Sequence, residues 1–178
     1  MVLAGVVGSA AIYGILRICI PLFPQGMASL APLLVAVSAV GVLYSAIVAA
    51  RQDDVRRLIA FASLMQLNLA ALALFAGTTT SLRGTVLAGV SHALVISALL
   101  LLTSFLTARS SSFAVVRVSA VAVAAPSLGA YTLAAVLATI GVPGSSGFSA
   151  QAVVLTGVYE RFPVATATAA LALFVMAS

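Results

Sequence analysis

The sequence predicts an all-α fold, a polytopic bundle of about six transmembrane helices. Of 178 residues, 63% are hydrophobic and 6% are charged, and the mean hydropathy is +1.29. A soluble domain carries roughly a quarter charged residues, and a domain of this size leaves too much surface exposed to hide so many apolar side chains. Apolar runs of about 20 residues, the length that lets a helix cross the hydrocarbon layer, recur along the chain. The sequence therefore indicates an integral membrane protein.

Six apolar segments follow one another along the chain. The first covers residues 3–20 and stops at two prolines, Pro21 and Pro24, which a helix interior does not accommodate. The next three cover residues 30–50, 58–77 and 85–108, and they end at "RQDDVRR", the polar turn "TTTSLRG" and "RSSS". The stretch "FAVVRVSAVAVAA" is predicted to lie along the interface before a fifth segment at 126–142. The last region starts at residue 147, is interrupted at "YERFP", and resumes at 164–178.

Charge is concentrated in the loops that follow the second and fourth segments. These loops, which alternation places on one side of the membrane, carry five arginines: Arg51, Arg56, Arg57, Arg109 and Arg117. The opposite side near these spans has Arg17 and Arg83. The positive-inside rule therefore predicts that the first side is cytoplasmic or matrix. Within "RQDDVRR", the predicted topology anchors are Arg51, Asp53, Asp54 and Arg57.

Composition also limits the partners and cofactors. The pI near 10.4 would suggest nucleic acid in a soluble protein, but here the arginines lie at the ends of apolar runs. No basic stripe with interleaved aromatics is present, so we expect lipid and not nucleic acid as the partner of these charges. The single cysteine, Cys19, permits no disulfide within the chain and cannot ligate an iron–sulfur cluster. We expect no cofactor and no metal site.

A glycine-rich stretch interrupts the C-terminal part of the apolar sequence. "GVPGSSGF", residues 141–148, places three glycines and a proline at or near membrane depth. Non-helical backbone is tolerated there where protein buries it or water reaches it. Gln151 follows one turn later, in the position of a residue on a discontinuous transporter helix. Ordinary packing of small residues explains the stretch nearly as well.

Few polar residues lie within the predicted spans, and each needs a partner in a low-dielectric setting. His92, the sole histidine, lies about two turns inside the fourth segment. It could bond a neighbouring helix, or act as a proton relay, because imidazole gains and loses a proton near physiological pH. Gln66 and Asn68 lie in the third segment, and since amides do not titrate, hydrogen bonds between helices are their favoured role.

Two further polar residues have similar alternatives. Ser9 lies in "GVVGSAAIYG", where Gly5 and Gly8 would let a neighbouring helix approach closely. Arg56, just after the charged loop, is better explained as a headgroup anchor than as a channel residue.

Four blocks of sequence together resemble one family. "RQDDVRRLIAFASLMQ" resembles "RQTDLKxLIAYSSxSH" of the antiporter-like subunits of respiratory complex I, and above all of subunit 4 of NADH:ubiquinone reductase. "VLAGVVGSAAIYGILR", "GVSHALVISALLLL" and "GVPGSSGFSAQAVVL" are similar to that subunit's "VLAxVLLKxGxYGxxR", "xxxHGLxSSxLF" and "GxPGTxGFxGExxxL". The blocks occur in family order with little or no gap, and cover about the C-terminal 40% of the family's usual length.

The resemblance implies a fold and a setting. Residues 1–178 would form one transmembrane domain, the second inverted repeat of the antiporter-like fold, with a discontinuous helix near the C-terminus. The first repeat would come from another chain or have been lost. The implied function is that of a non-catalytic membrane-arm subunit of NADH:ubiquinone oxidoreductase, in the mitochondrial inner membrane, with other membrane-arm subunits as partners. Any electron chemistry would reside in those other chains.

The departures from the family's pattern concern the proton path. The family's first lysine falls on Ser9, its first histidine on Gln66, its glutamate on Gln151, and the lysine of "DLK" on Arg56. His92 alone is retained, so the residues on this candidate path are mostly unable to titrate. Proton translocation is therefore expected to be weakened or absent, and the role mainly structural. Two alternatives remain: a subunit of a multisubunit cation/proton antiporter or membrane-bound hydrogenase, and a membrane scaffold with no transport role.

Overall fold

The computed structural model describes residues 3–110 and 112–177, whose regular elements are all helices apart from one isolated β-bridge. Helix α1 spans residues 3–22, in which π-helical turns at Leu3–Val7 and Ile15–Cys19 alternate with α-helix at Gly8–Gly14 and Ile20–Leu22. The remaining helices are α2 (Pro24–Ala50), α3 (Val55–Ala76), α4 (Thr79–Ser110), α5 (Val115–Ala124), α6 (Pro126–Ile140), α7 (Ser146–Tyr159) and α8 (Pro163–Ala177). The predicted all-α class is confirmed.

Four of these helices are long and apolar enough to cross a membrane, at Gly5–Leu22, Pro24–Ala50, Val55–Ala76 and Thr79–Ser110. Helices α6 and α8 are apolar but shorter. All six predicted segments are therefore helical, and the last is divided between α7 and α8 at the interruption predicted within "YERFP". The stretch predicted to lie along the interface forms α5.

Two predicted boundaries were wrong, each because a residue type has two structural uses. Helix α2 begins at Pro24, six residues before the predicted start, since proline is well suited to the first turn of a helix. Helix α4 begins at Thr79 and not at residue 85. The Thr78 N–H donates to the Ser81 hydroxyl oxygen, and the Ser81 N–H donates to the Thr78 hydroxyl oxygen, each at 3.0 Å. This is a capping-box arrangement, so the residues interpreted as an open turn begin the helix.

The turn before α4 is correspondingly short. Gly77 ends α3 with a left-handed backbone at φ 69°, a conformation that glycine adopts without steric cost. Because α4 starts earlier than predicted, His92 lies more than three turns inside it and not two. This places the histidine near the middle of the bundle.

The loops after α2 and α4 are joined to each other at one end of the bundle. The Val55 N–H donates to the Phe113 carbonyl at 3.0 Å, and the Val115 N–H donates to the Asp53 carbonyl at 2.9 Å. The Arg56 guanidinium carbon lies 3.5 Å from the Phe113 ring centroid, within cation–π range. The prediction that these two loops share one side is confirmed.

Asp54 gives this end a second function. Its carboxylate accepts from the backbone N–H groups of Arg56 at 2.8 Å and Arg57 at 3.3 Å, which caps the start of α3. In the structure, this acidic residue is a helix cap, and its predicted part as a topology anchor stays a prediction.

The opposite end of the bundle holds one more arginine than the sequence reading counted. Arg161 donates from Nη1 to the carbonyl of Ala76, the last residue of α3, at 3.3 Å. It therefore lies at the same end as Arg17 and Arg83. Five arginines against three still favour the cytoplasmic or matrix side for the joined loops.

The apolar core lies where α2, α3, α7 and α8 meet, and small residues let helices approach closely. Val42, Met65 and Val154 are among its fully buried side chains. At Gly84 a Cβ would lie 2.9 Å from the backbone nitrogen of Val154, so α4 and α7 pack nearly backbone to backbone. Close approach at small residues is the usual way in which membrane helices gain packing contacts.

Candidate functional site

Five residues from four helices form a buried polar cluster in the middle of the bundle. Helix α3 contributes Ser63 and Gln66, and α4 contributes His92. Helix α6 contributes Thr139 and α7 contributes Gln151, on either side of the break between these two helices. His92 is 3% exposed and Gln151 9% exposed, so these groups satisfy one another inside the protein. We call these five residues the polar cluster.

The hydrogen bonds of Gln66 determine which atoms donate and which accept at the centre of the polar cluster. Its Nε2 donates to the Thr139 carbonyl at 2.8 Å, and a carbonyl can only accept. The other end of the amide, Oε1, therefore faces His92 Nδ1 at 3.0 Å and must accept. It follows that Nδ1 of His92 carries a proton, whether the ring is neutral or charged.

Ser63 approaches the other side of the imidazole. Its hydroxyl oxygen lies 3.4 Å from His92 Nε2. Since Nδ1 holds the proton of a neutral ring, Nε2 is then an acceptor and the serine hydroxyl the donor. His92 thus bonds two residues of α3 one helical turn apart, which joins α4 to α3.

The glycine-rich break brings α6 and α7 to this centre. Gly141 ends α6 with a left-handed backbone at φ 86°, and a Cβ there would overlap the Gln151 side-chain oxygen. Gly147, in the first turn of α7, leaves room for the carbonyl of Ala138. Ser145 caps α7 by accepting from the Phe148 N–H at 3.2 Å. The glycines are therefore required where the last turn of α6 lies against the first turns of α7.

Gln151 connects that break to the cluster. Its Nε2 lies 3.4 Å from the Thr139 carbonyl, which also accepts the shorter bond from Gln66. A single backbone carbonyl near the end of α6 therefore receives two side-chain amides, one from α3 and one from α7. The predicted discontinuous helix is present, and its break lies at the polar cluster.

A small cavity of about 20 Å³ adjoins the cluster, with Gln66, Ser91, His92 and Gln151 in its lining. A water molecule needs about 10–15 Å³ of such volume and two or more polar partners, so this space suits one water. One water cannot form a continuous path across the bundle.

Three of the predicted proton-path residues are brought together, and two are not. His92, Gln66 and Gln151 belong to the polar cluster. Ser9 donates instead within its own helix to the Gly5 carbonyl at 3.1 Å. Arg56 lies at the joined loops, at the end of α3.

The packing predicted around Ser9 is present, but the bridging role of Asn68 is wrong. A Cβ at Gly8 would lie 2.8 Å from a Leu67 methyl carbon, so α1 approaches α3 closely as expected. Asn68 donates to the Leu64 carbonyl of its own helix at 2.9 Å, while its side chain packs against Gly41 of α2.

Sequence reasoning missed Ser63 and Thr139. Ser63 stands three residues before Gln66 and so shares a helix face with it, a signal that was available. Thr139 takes part through its backbone carbonyl, and the signal for that is Pro143, four residues later, which has no N–H to pair with this carbonyl in a continued helix. Among the residues that the structure describes, no group of three or more His, Cys, Asp or Glu side chains could hold a metal ion.

Comparisons with known proteins show which family and which proteins this chain is similar to. Residues 1–177 match the family model described as NADH:quinone oxidoreductase/Mrp antiporter, TM. NADH-quinone oxidoreductase subunit M of Mycobacterium tuberculosis is 34% identical over 165 residues, 93% of this chain and 30% of the relative. The protein of the same name from Rickettsia typhi is 30% identical over 171 residues, 96% of this chain and 35% of the relative.

Solved structures agree with these relatives. A chain in the structure of respiratory complex I from Thermus thermophilus with bound NADH superposes with a TM-score of 0.88 at 34% identity, over 93% of this chain and 36% of that one. A chain of the archaeal membrane-bound sulfane sulfur reductase has a TM-score of 0.85 at 23% identity, over 98% of this chain and 36% of that one, which shows a shared fold. The chain thus spans about a third of the length of the relatives it matches.

Proposed function

The chain belongs to the NADH:quinone oxidoreductase/Mrp antiporter transmembrane family, and on that premise we propose that it is a membrane-arm component of an NADH:quinone oxidoreductase. The observation that carries this proposal is the match over residues 1–177 together with relatives named as subunit M of that enzyme. The resemblance to antiporter-like subunits of complex I seen in four sequence blocks is thereby confirmed. The activity and partners of the whole enzyme are part of the proposal, because the chain spans about a third of those relatives.

Within such an arm, the polar cluster would serve mainly to hold helices together. Gln66 and Gln151 bind the same Thr139 carbonyl from two helices, and His92 binds α3 from a third. Because the Gln66 amide has its nitrogen against a carbonyl, it can accept a hydrogen bond from His92 but cannot pass a proton on. Proton translocation through these residues is therefore proposed to be weak or absent, with His92 the one titratable member.

The domain assignment is part of the same proposal. Residues 1–178 would form the second inverted repeat, and the first repeat would be supplied by a separate chain. The first repeat could equally be formed by further residues of the same polypeptide. Peptide mapping of the purified complex distinguishes a separate chain from a longer polypeptide. Other membrane-arm subunits would contact the exposed apolar faces.

The membrane that holds the chain is a separate question. The mitochondrial inner membrane stays a prediction: the relatives named above are bacterial, and they support only an integral membrane location. Localisation of the tagged chain by immunogold microscopy in its own cells would decide it.

The experiment that tests the proposal is purification of the native complex in mild detergent, with every comigrating chain identified by mass spectrometry. Comigration with NADH-oxidising and quinone-reducing subunits is the expected result. Comigration with cation-exchanger or hydrogenase subunits would contradict it and support the alternative that the family description also covers. Recovery without any partner would contradict both of these functions and support the remaining alternative, a membrane scaffold with no transport role.

A further inference from the structure

Two apolar grooves meet at Arg161, at the end of the bundle opposite the joined loops. The first, of about 340 Å³, lies between α2 and α8 and is lined by Pro32, Ala36 and Thr168 among others. The second, of about 170 Å³, lies between α1, α2 and α3 and is lined by Met27, Ala28 and Leu74 among others. Arg161 lines both grooves, and it is the only charged residue in either lining among the residues that the structure describes.

The charge at this junction is positive and available. The bond from Nη1 to the Ala76 carbonyl uses one of the five N–H donors of the guanidinium. Arg161 is exposed, and the adjacent Glu160 lines neither groove. The first turn of α2, which begins at Pro24 beside the second groove, adds the partial positive charge of a long helix.

We propose that this junction binds one anionic phospholipid, with its phosphate on Arg161 and one acyl chain in each groove. Guanidinium binds phosphate oxygens with two parallel hydrogen bonds, which an ammonium does not match. Two apolar grooves that meet at one cation correspond to the two chains and single headgroup of a diacyl lipid. The site lies at the far end of α3 from the joined loops and is independent of the polar cluster.

The test uses the intact native complex in nanodiscs of phosphatidylcholine with a minor share of phosphatidylglycerol, and counts retained lipids by native mass spectrometry. Arg161→Gln should lower phosphatidylglycerol retention about tenfold, because it removes a charge-assisted phosphate contact. Arg83→Gln is the matched control, since Arg83 is an exposed arginine at the same end that lines neither groove. It should leave retention unchanged.

A second variant tests the contribution of the acyl-chain groove separately from that of the arginine charge. Ala36→Phe narrows the first groove from an exposed position of α2 and keeps Arg161. It should lower retention of phosphatidylglycerol as well, and it serves as the test if Arg161→Gln fails to assemble. Equal losses in Arg161→Gln and Arg83→Gln, or full retention in Ala36→Phe, would overturn the proposal.

Free anion is the remaining alternative occupant. Inorganic phosphate at millimolar concentration should not displace the retained lipid, since it has no chains to fill the grooves. Complete displacement would show a plain anion site and overturn the lipid assignment. Equal retention of phosphatidylcholine and phosphatidylglycerol would overturn the role of the charge.

Discussion

Replacing Gln66 with methionine tests whether the polar cluster holds the helices together. The change keeps the length of the side chain and removes both amide hydrogen bonds, at 2.8 Å to the Thr139 carbonyl and at 3.0 Å to His92. Thr139 keeps the longer bond from Gln151, at 3.4 Å, while Nδ1 of His92 loses this acceptor.

The expected magnitude follows from these losses. Hydrogen bonds between membrane helices average about 0.6 and reach about 1.7 kcal/mol each. Because Gln66→Met removes two such bonds, we expect the free energy of release of this chain to fall by about 1–2 kcal/mol. The assay is titration of the purified complex with SDS, following release of this chain and extrapolating the free energy linearly.

Asn68→Leu is the matched control, an amide on the same helix replaced by an apolar side chain of the same shape. Its amide donates within its own helix, to Leu64, so its loss should cost less than about 0.5 kcal/mol. If the two variants shift the free energy equally, the cluster contributes no more than any amide on α3. The polar cluster would then not be what joins these helices.

Two further predictions concern backbone features. Gly141→Ala should destabilise the assembled chain by at least about 1 kcal/mol more than Gly144→Ala, since both have positive φ but a Cβ at Gly141 alone meets Gln151. The difference in SDS midpoint measures this, and equal midpoints would show that the contact with Gln151 is irrelevant. Asp54→Ala should cost about 1 kcal/mol through loss of the helix cap, and speed amide hydrogen exchange in the first turn of α3. Asp53→Ala should leave amide exchange in that turn unchanged. Asp53 bonds the other loop through its backbone carbonyl, which the substitution keeps.

The helical segments could be predicted because their lengths and apolar composition follow directly from the thickness of the hydrocarbon layer. The pairing of the two charged loops was also predictable, since alternation of spans and arginine counts both place them on one side. Boundaries were harder. Pro24 and the threonines at the start of α4 are residue types that both end and begin helices, and local sequence does not choose between the two.

The candidate site was predictable in part. His92, Gln66 and Gln151 could be selected because polar side chains in apolar spans need partners, and the resemblance gave their order along the chain. Their common acceptor was harder to select, because the Thr139 carbonyl is left free by two features together: the backbone turns at Gly141, and Pro143, four residues on, has no N–H to donate to it. Ser9 was grouped with them by resemblance, yet its hydrogen bond closes within α1.

The measurement that tests the central claim most directly is the number of protons translocated per electron by the complex that contains His92→Ala. If the cluster binds helices and carries no protons, less complex will assemble, and the assembled fraction will keep the ratio of the unmodified complex. A lower ratio in complex that assembles in full amount would contradict the account and make His92 part of a working proton path.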